Sequence, residues 1–305
     1  MRNVLIVSNF CAGRKQAIKY KRKIQKFLLV RLVFFRFVDI DQIQNVDMEK
    51  FDTILVVGGD GTVNKVLPYL INSDKTLGII PCGTANLLAA RLGITSIKKA
   101  LKVIDRENSA RIDLMNVNNR LSILRCGLGF DADIIGKTPQ SIKNKFGYLS
   151  YLVSGIIFAL RLKNKKYIVS FDGKEETIDA SCIIVANAPN MYKNSFVTAN
   201  NSKLNDGLFD IFILKTQNPI LFFIEILKIM FNFRFNNSIA EYIKTDNFKI
   251  KNKYCLAHID GEKTKFTEDI NFKILKDSIN VYCKEDVCLE RIEILTEDML
   301  KTMVS

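Results

Sequence analysis

Two short glycine-bearing segments carry the residue types that phosphate chemistry needs. Val57-Gly58-Gly59-Asp60-Gly61-Thr62 follows one apolar run, and Pro81-Cys82-Gly83-Thr84-Ala85-Asn86 follows the next. Glycines let a backbone come close to phosphate oxygens, and N–H groups at a helix start attract anions. An aspartate inside such a turn is costly unless it serves a cation or a proton transfer. Read alone, the same residues are a strand-to-helix turn capped by Asp60. Asn9 and Ala12-Gly13, just after the first apolar run, supply a third polar turn. Three such turns at the carboxyl ends of neighbouring strands mark the edge where ligands bind in open α/β sheets. Asp60 supplies a carboxylate of the kind that suits magnesium, and phosphoryl transfer needs such cation-assisted neutralisation of charge. Standing alone, Asp260-Gly261-Glu262 also reads as a plain turn at a strand end.

Other chemistries find little support. The chain has one histidine, His258, so a Ser-His-Asp or Cys-His hydrolase would have to use it, and nothing nearby supports that. Cys255-x-x-His258 with Cys283 and Cys288 offers four zinc-type ligands, yet positions 255 and 258 of a strand point to opposite faces. The seven cysteines are scattered with no Cys-x-x-Cys pair, which fits a reduced, cytoplasmic protein.

The elements that must position the turns follow from periodicity. Val4–Val7, Leu32–Ile40, Thr53–Val57 and Leu77–Ile80 read as strands, and helices are expected at Arg14–Leu28, Val63–Ile71 and Ala85–Leu92. That alternation predicts a doubly wound, mainly parallel α/β domain over residues 1–113. Beyond Asp113, strand-like runs follow one another with helical interruptions near Ile142–Leu160 and Ile220–Phe231. A second, mainly antiparallel β domain is therefore expected over 114–285, with a cleft between the two. Residues 286–305 are expected to dock as an amphipathic helical tail.

Composition sets the partners. With 305 residues, 48% hydrophobic and 25% charged, the chain is globular, and its net charge of +13 favours anionic partners. Basic runs occur at Lys19–Lys26 and Lys163–Lys166. No signal-type leader is read at the start. The apolar stretch Ile220–Phe233 contains Glu225 and Lys228 and falls short of a bilayer span. A cytoplasmic protein, peripheral to an anionic membrane, is expected. Nucleic-acid binding has only net charge behind it and is not expected; a homodimer is left open.

Taken in order, GGDGT at 58–62, PxGTxN at 81–86 and Asn-x-x-Ala-Gly at 9–13 resemble the diacylglycerol kinase catalytic superfamily, which includes the bacterial soluble and sphingosine-kinase-like lipid kinases. The resemblance continues through Gly129-Phe130-Asp131-Ala132, Asn187, Asp206-Gly207-Leu208 and Asp260-Gly261-Glu262. It implies an ATP- and magnesium-dependent kinase that phosphorylates a lipid hydroxyl, of a diacylglycerol or sphingoid type. Asn9, Gly13, Gly58, Gly59, Asp60, Gly61, Thr62 and Thr84 would hold ATP, with Asp113 joining the Asp60 network. Glu262 would be the catalytic base, acting with Asp60. A structural magnesium would sit on Asp206 and the backbone oxygens of Lys203 and Leu208. Asp131 either lines the acceptor site or caps a turn. Leu87 stands where many members have aspartate, and 188–193 lacks their glycine-rich loop. The alternatives are an NAD kinase-like enzyme, from which the expected Asn-Glu pair is missing, and a degenerate nucleotide- and lipid-binding protein at a membrane surface.

Overall fold

The computed structural model describes residues 3–8, 15–130, 132, 162–187, 203–231, 236–251 and 254–285. Asn9, Gly13, Asp131, the stretch 142–160, the stretch 188–193 and the tail 286–305 lie outside them. The chain divides into two compact units, Met1–Ile112 with Asp277–Ser305, and Asp113–Lys276. Residues up to 285 are expected in the second domain, whereas the chain returns to the first from Asp277.

In the first unit, β1 (Asn3–Ser8), β2 (Phe34–Asp39), β3 (Thr53–Gly58) and β4 (Thr76–Pro81) form a parallel sheet in the order β2-β1-β3-β4. Val4, Leu5, Ile6 and Val7 are fully buried, as expected of a strand covered on both faces. The helices are α1 (Lys15–Val30), α2 (Asp60–Val66), α3 (Leu87–Arg91) and α4 (Ile97–Arg106). α4 is started by Ser96, whose hydroxyl accepts the Lys99 N–H. It packs on β4 and against α1.

The second unit is β-rich. It is built from β5 (Ser109–Val117), β6 (Arg120–Ser122), β7 (Arg125–Gly129), β8 (Lys165–Phe171), β9 (Lys174–Ala180), β10 (Cys182–Ala186) and β11 (Phe209–Leu214). After helix α5 (Pro219–Phe231) come β12 (Ala240–Thr245), β13 (Asn247–Lys251), β14 (Cys255–Ile259), β15 (Glu262–Phe266) and β16 (Ile270–Tyr282), whose residues from Asp277 onward belong to the first unit. One sheet runs β12-β11-β10-β7-β14-β15, with antiparallel neighbours throughout. The first half of β16 pairs antiparallel with β13, then β8 and β9. Leu128, Val169, Phe209, Phe248 and Phe272 belong to one buried apolar cluster, and Phe130, Ile184, Phe212 and Phe222 of α5 to another. The burial of both faces explains the near-continuous apolar runs of β10 and β11.

Candidate functional site

The two glycine turns leave adjacent strands side by side. Gly58 at the end of β3 pairs with Pro81 at the end of β4, and the Cys82 N–H continues the ladder to the Gly58 carbonyl at 2.8 Å. Beyond that point the turns touch through bare backbone. A Cβ on Gly59 would lie 2.9 Å from the Gly83 Cα, and one on Gly83 would lie 2.5 Å from the Gly59 Cα. Gly58 is constrained from another side, since a Cβ there would strike the Thr62 side chain at 2.5 Å. Gly61 differs from these three. Its Cβ direction meets nothing within 4 Å among the described residues, so their packing does not demand a glycine there.

Asp60 holds the pair of turns together. Its Oδ2 accepts the Leu87 N–H at 3.0 Å and its Oδ1 accepts the Leu88 N–H at 3.1 Å. Asp60 therefore caps the start of α3, a neighbouring element, while its own helix α2 begins from Gly59 with no side-chain cap. Asn86 is freed for a different task. In a left-handed conformation (φ 51°, ψ 48°), it accepts the Gly83 N–H at 2.8 Å and donates to the Gly83 carbonyl at 2.9 Å, closing the second turn. The Thr62 N–H donates to the Gly59 carbonyl at 2.9 Å, and Thr84 is exposed at the tip of the second turn.

In the second unit, segments that the sequence shows as separate motifs share one hydrogen-bond network. The buried Asp113 accepts the Gly207 N–H on Oδ2 at 2.7 Å, and its N–H donates to the Leu204 carbonyl at 2.8 Å. Buried Asn187 donates from Nδ2 to the Asp113 carbonyl at 2.7 Å and from its N–H to the Leu124 carbonyl at 2.9 Å. Asp260 completes the network. Its carboxylate accepts Ser122 Oγ at 2.9 Å and the N–H groups of Ile123, Leu124 and Arg125 at 2.8, 3.0 and 2.8 Å.

Asp260 and Gly261 have φ of 48° and 88° and form the two-residue hairpin that joins β14 to β15, with Ile259 paired to Glu262. His258 is fully buried and its Nδ1 accepts the Gly261 N–H at 3.3 Å, a hairpin-stabilising role rather than a ligand's. Glu262 follows this clamped turn. Its side chain is exposed and makes no ion pair among the described residues. Sequence reasoning took the DGE segment as a unit; in the structure its aspartate is a structural hub and its glutamate projects from it.

At the Lys203–Leu208 loop, where a structural magnesium is expected, Asp206 is engaged by groups of the chain itself. Asp206 accepts the N–H groups of Lys203 and Leu208 at 3.3 and 3.1 Å, and Lys244 Nζ stands 2.8 Å from Asp206 Oδ2. The positive charge facing this carboxylate is thus a lysine ammonium from β12. A magnesium ion on this carboxylate would have to displace Lys244. Beside it, Tyr242 donates to buried Asp210. Burial first, then the negative charge of Asp210, push the Tyr242 hydroxyl far above its usual range. No cluster of three or more His, Cys, Asp or Glu suited to a metal occurs among the described residues.

Comparison with known proteins agrees with this two-part organisation. Residues 3–117 match the model of the diacylglycerol kinase catalytic domain, and residues 125–282 match the YegS C-terminal NAD kinase beta sandwich-like domain. The chain is 31% identical over 232 residues to an uncharacterized protein of Synechocystis sp., which covers 76% of this chain and 51% of that protein, about half its length. It is 30% identical over 222 residues to the diacylglycerol kinase of Bacillus subtilis (strain 168), covering 70% of this chain and 72% of that enzyme. A crystal structure of a proposed diacylglycerol kinase from Bacillus anthracis str. Sterne shares the fold, with a TM-score of 0.80 at 23% identity over 94% of this chain and 96% of that one. The chain belongs to the diacylglycerol kinase family of lipid kinases, phosphotransferases with an alcohol group as acceptor.

Proposed function

We propose that the chain transfers the γ-phosphoryl group of ATP to the hydroxyl of a diacylglycerol- or sphingoid-type lipid in the presence of magnesium. The observation that supports this most is the pair of glycine turns. Their backbones touch where no side chain fits, while Gly61 lacks a Cβ that nothing among the described residues would obstruct. An open glycine beside a fixed carboxylate suits a phosphate chain approaching the backbone. Family membership favours a lipid acceptor over NAD.

In this reading Gly58, Gly59, Gly61, Thr62 and Thr84 line the phosphates, and Asn9 and Gly13, outside the described residues, are assigned to the same nucleotide by their motif. Asp60, oriented by the Leu87 and Leu88 N–H groups, offers the hard oxygen donors that magnesium prefers. Magnesium bound with ATP would neutralise charge on the transferring group. Glu262 accepts the proton of the acceptor hydroxyl as the new oxygen–phosphorus bond forms and the bond from the γ-phosphorus to the bridging oxygen breaks. Asp113 holds the Gly207 turn and the Asn187 strand end, and so positions the second unit's contribution. No helix among the described residues is long and apolar enough to cross a membrane. A water-insoluble acceptor is then met at a bilayer surface, by a peripheral protein.

The test is incubation with γ-labelled ATP, magnesium and a panel of extracted lipids. A labelled lipid product is expected with the parent. Glu262→Gln should bind ATP as the parent does and label lipid far more slowly, whereas Asp60→Asn should lose turnover and its response to magnesium together. Absence of any labelled lipid from the folded parent would overturn the proposal, and normal turnover by Glu262→Gln would remove the base assignment.

A further inference from the structure

The corner where α1 runs into β2 has features that phosphoryl transfer does not use. The helix ends with the Leu32 N–H donating to the Leu29 carbonyl at 3.1 Å and the Val33 N–H to the Leu28 carbonyl at 3.2 Å. This is the closing turn in which the residue just past the helix is left-handed and usually glycine. Here that residue is Leu32, at φ 54°. The strain is not repaid by burial, because Leu32 is 95% exposed. Its neighbours Leu29, Val30 and Phe34 are 56%, 72% and 63% exposed. Four large apolar side chains thus face water at one corner.

The same stretch is strongly cationic. Lys19, Lys21, Arg22, Lys23, Lys26, Arg31 and Arg36 fall within residues 19–38, which contain no Asp or Glu. Two of these cations lie over aromatic rings, Lys21 Nζ 5.0 Å from the Phe37 centroid and Arg31 3.8 Å from that of Phe27, and Arg31 also pairs with Asp105. By contrast, the exposed apolar residues of α5 (Ile220, Leu221, Ile224 and Leu227) accompany a Glu225–Lys228 ion pair that cancels locally.

We propose that the α1–β2 corner docks the protein on anionic bilayers, with Leu29, Val30, Leu32 and Phe34 entering the headgroup–acyl boundary and the cations of α1 lying on lipid phosphates. Either attachment alone is weak, and the two together give reversible peripheral binding. The choice of a lipid surface as the partner rests on the lipid kinase reading. A second copy of the chain is disfavoured, since it would bring seven cations against seven, and Arg36 on edge strand β2 opposes strand addition.

The chain contains no tryptophan, so Phe34→Trp supplies the sole tryptophan, read by exciting at the red edge where its tyrosines do not absorb. Equimolar phosphatidylcholine–phosphatidylglycerol vesicles should shift its emission to the blue, and salt should reverse the shift. In co-sedimentation, Leu32→Gly should lower partition at least about tenfold. It should also hold or raise Tm, because glycine relieves the left-handed strain, so misfolding cannot imitate the loss. Lys23→Gln and Lys26→Gln should each lower partition about fivefold. Unchanged partition of Leu32→Gly, equal binding to pure phosphatidylcholine, or a blue shift that tracks self-association without vesicles would overturn the proposal. A parallel assay presents a short-chain lipid acceptor in neutral detergent micelles. Loss of Leu32→Gly partition with equal micellar turnover by parent and variant supports the docking corner. No turnover by the parent in micelles refutes the kinase reading, while the vesicle data still decide the docking.

Discussion

The division of labour inside Asp260-Gly261-Glu262 is open to a direct test. Asp260→Asn keeps the shape and, like aspartate, tolerates the left-handed backbone at φ 48°. It replaces one carboxylate oxygen by an amide that donates, facing Ser122 Oγ and the N–H groups of Ile123, Leu124 and Arg125. Hydrogen bonds to a charged acceptor contribute about 1.5–3 kcal/mol each. The turn is half-buried, so water replaces part of what is lost, and the net cost works out at about 2–4 kcal/mol. Thermal and urea unfolding followed by circular dichroism should therefore show Tm lower by roughly 5–15 °C. Glu262→Gln, one residue past the turn and exposed, should unfold with the parent while losing turnover. Two results would refute the reasoning: an Asp260→Asn protein as stable as the parent, or a Glu262→Gln protein that loses stability as well as activity.

Other perturbations separate packing from ligand binding. Gly61→Ala adds a methyl into open space within a helix, so Tm should rise slightly while ATP affinity by calorimetry falls about tenfold or more; equal ATP affinity would remove Gly61 from the phosphate site. Gly83→Ala places a Cβ 2.5 Å from the Gly59 Cα and should lower Tm and abolish ATP binding together. Lys244→Met leaves Asp206 without its cation and should cost about 1–3 kcal/mol, whereas the parent should melt alike in EDTA and in magnesium; an EDTA-sensitive parent whose sensitivity vanishes in Asp206→Ala would restore the metal at that loop. Burial pushes the Cys255 thiol up to about 11, so at pH 8 its alkylation, mapped by mass spectrometry, should run roughly a hundredfold slower than that of a thiol at 9.0 and accelerate only toward pH 11.

What the sequence made legible depended on how local the cause was. β1, β3 and β4 are apolar runs, and the glycine turns after β3 and β4 carry their own chemistry, so the first unit's parallel sheet could be read directly. The edge strand β9 (Lys174–Ala180) could not, because Lys174, Glu175, Glu176, Thr177 and Asp179 face water and leave only Ile178 and Ala180 buried. β15 (Glu262–Phe266) is similar, with only Thr264 and Phe266 inside. The helix expected from Val63 begins at Asp60, because Gly59 makes the turn in extended backbone and releases Asp60 to cap α3. α4 had a readable signal in Ser96 that periodicity alone passed over. The carboxylate partners were illegible: Asp260 meets residues more than 130 positions away, and Lys244 reaches Asp206 through the pairing of β12 with β11. Motif spacing says which residues recur, while such long-range donors decide which way they point.

The return of β16 to the first unit has a consequence for synthesis. Asn280 and Val281 pair with Thr76 and Leu77 of β4, Asn280 Nδ2 donates to Thr76 Oγ1 at 2.8 Å, and the Tyr282 hydroxyl lies 3.4 Å from Thr53 Oγ1. These contacts join residues made early in translation to residues made after the whole of Asp113–Lys276 has emerged. At about 5–20 residues per second, β4 spends on the order of ten to forty seconds without its outer neighbour. Over that interval an apolar strand edge stands unpaired, a template for other nascent chains. Meanwhile the interposed unit holds all the strands of its own six-stranded sheet and can complete it first. The half of the protein that is translated first therefore completes its sheet only once β16 has been made.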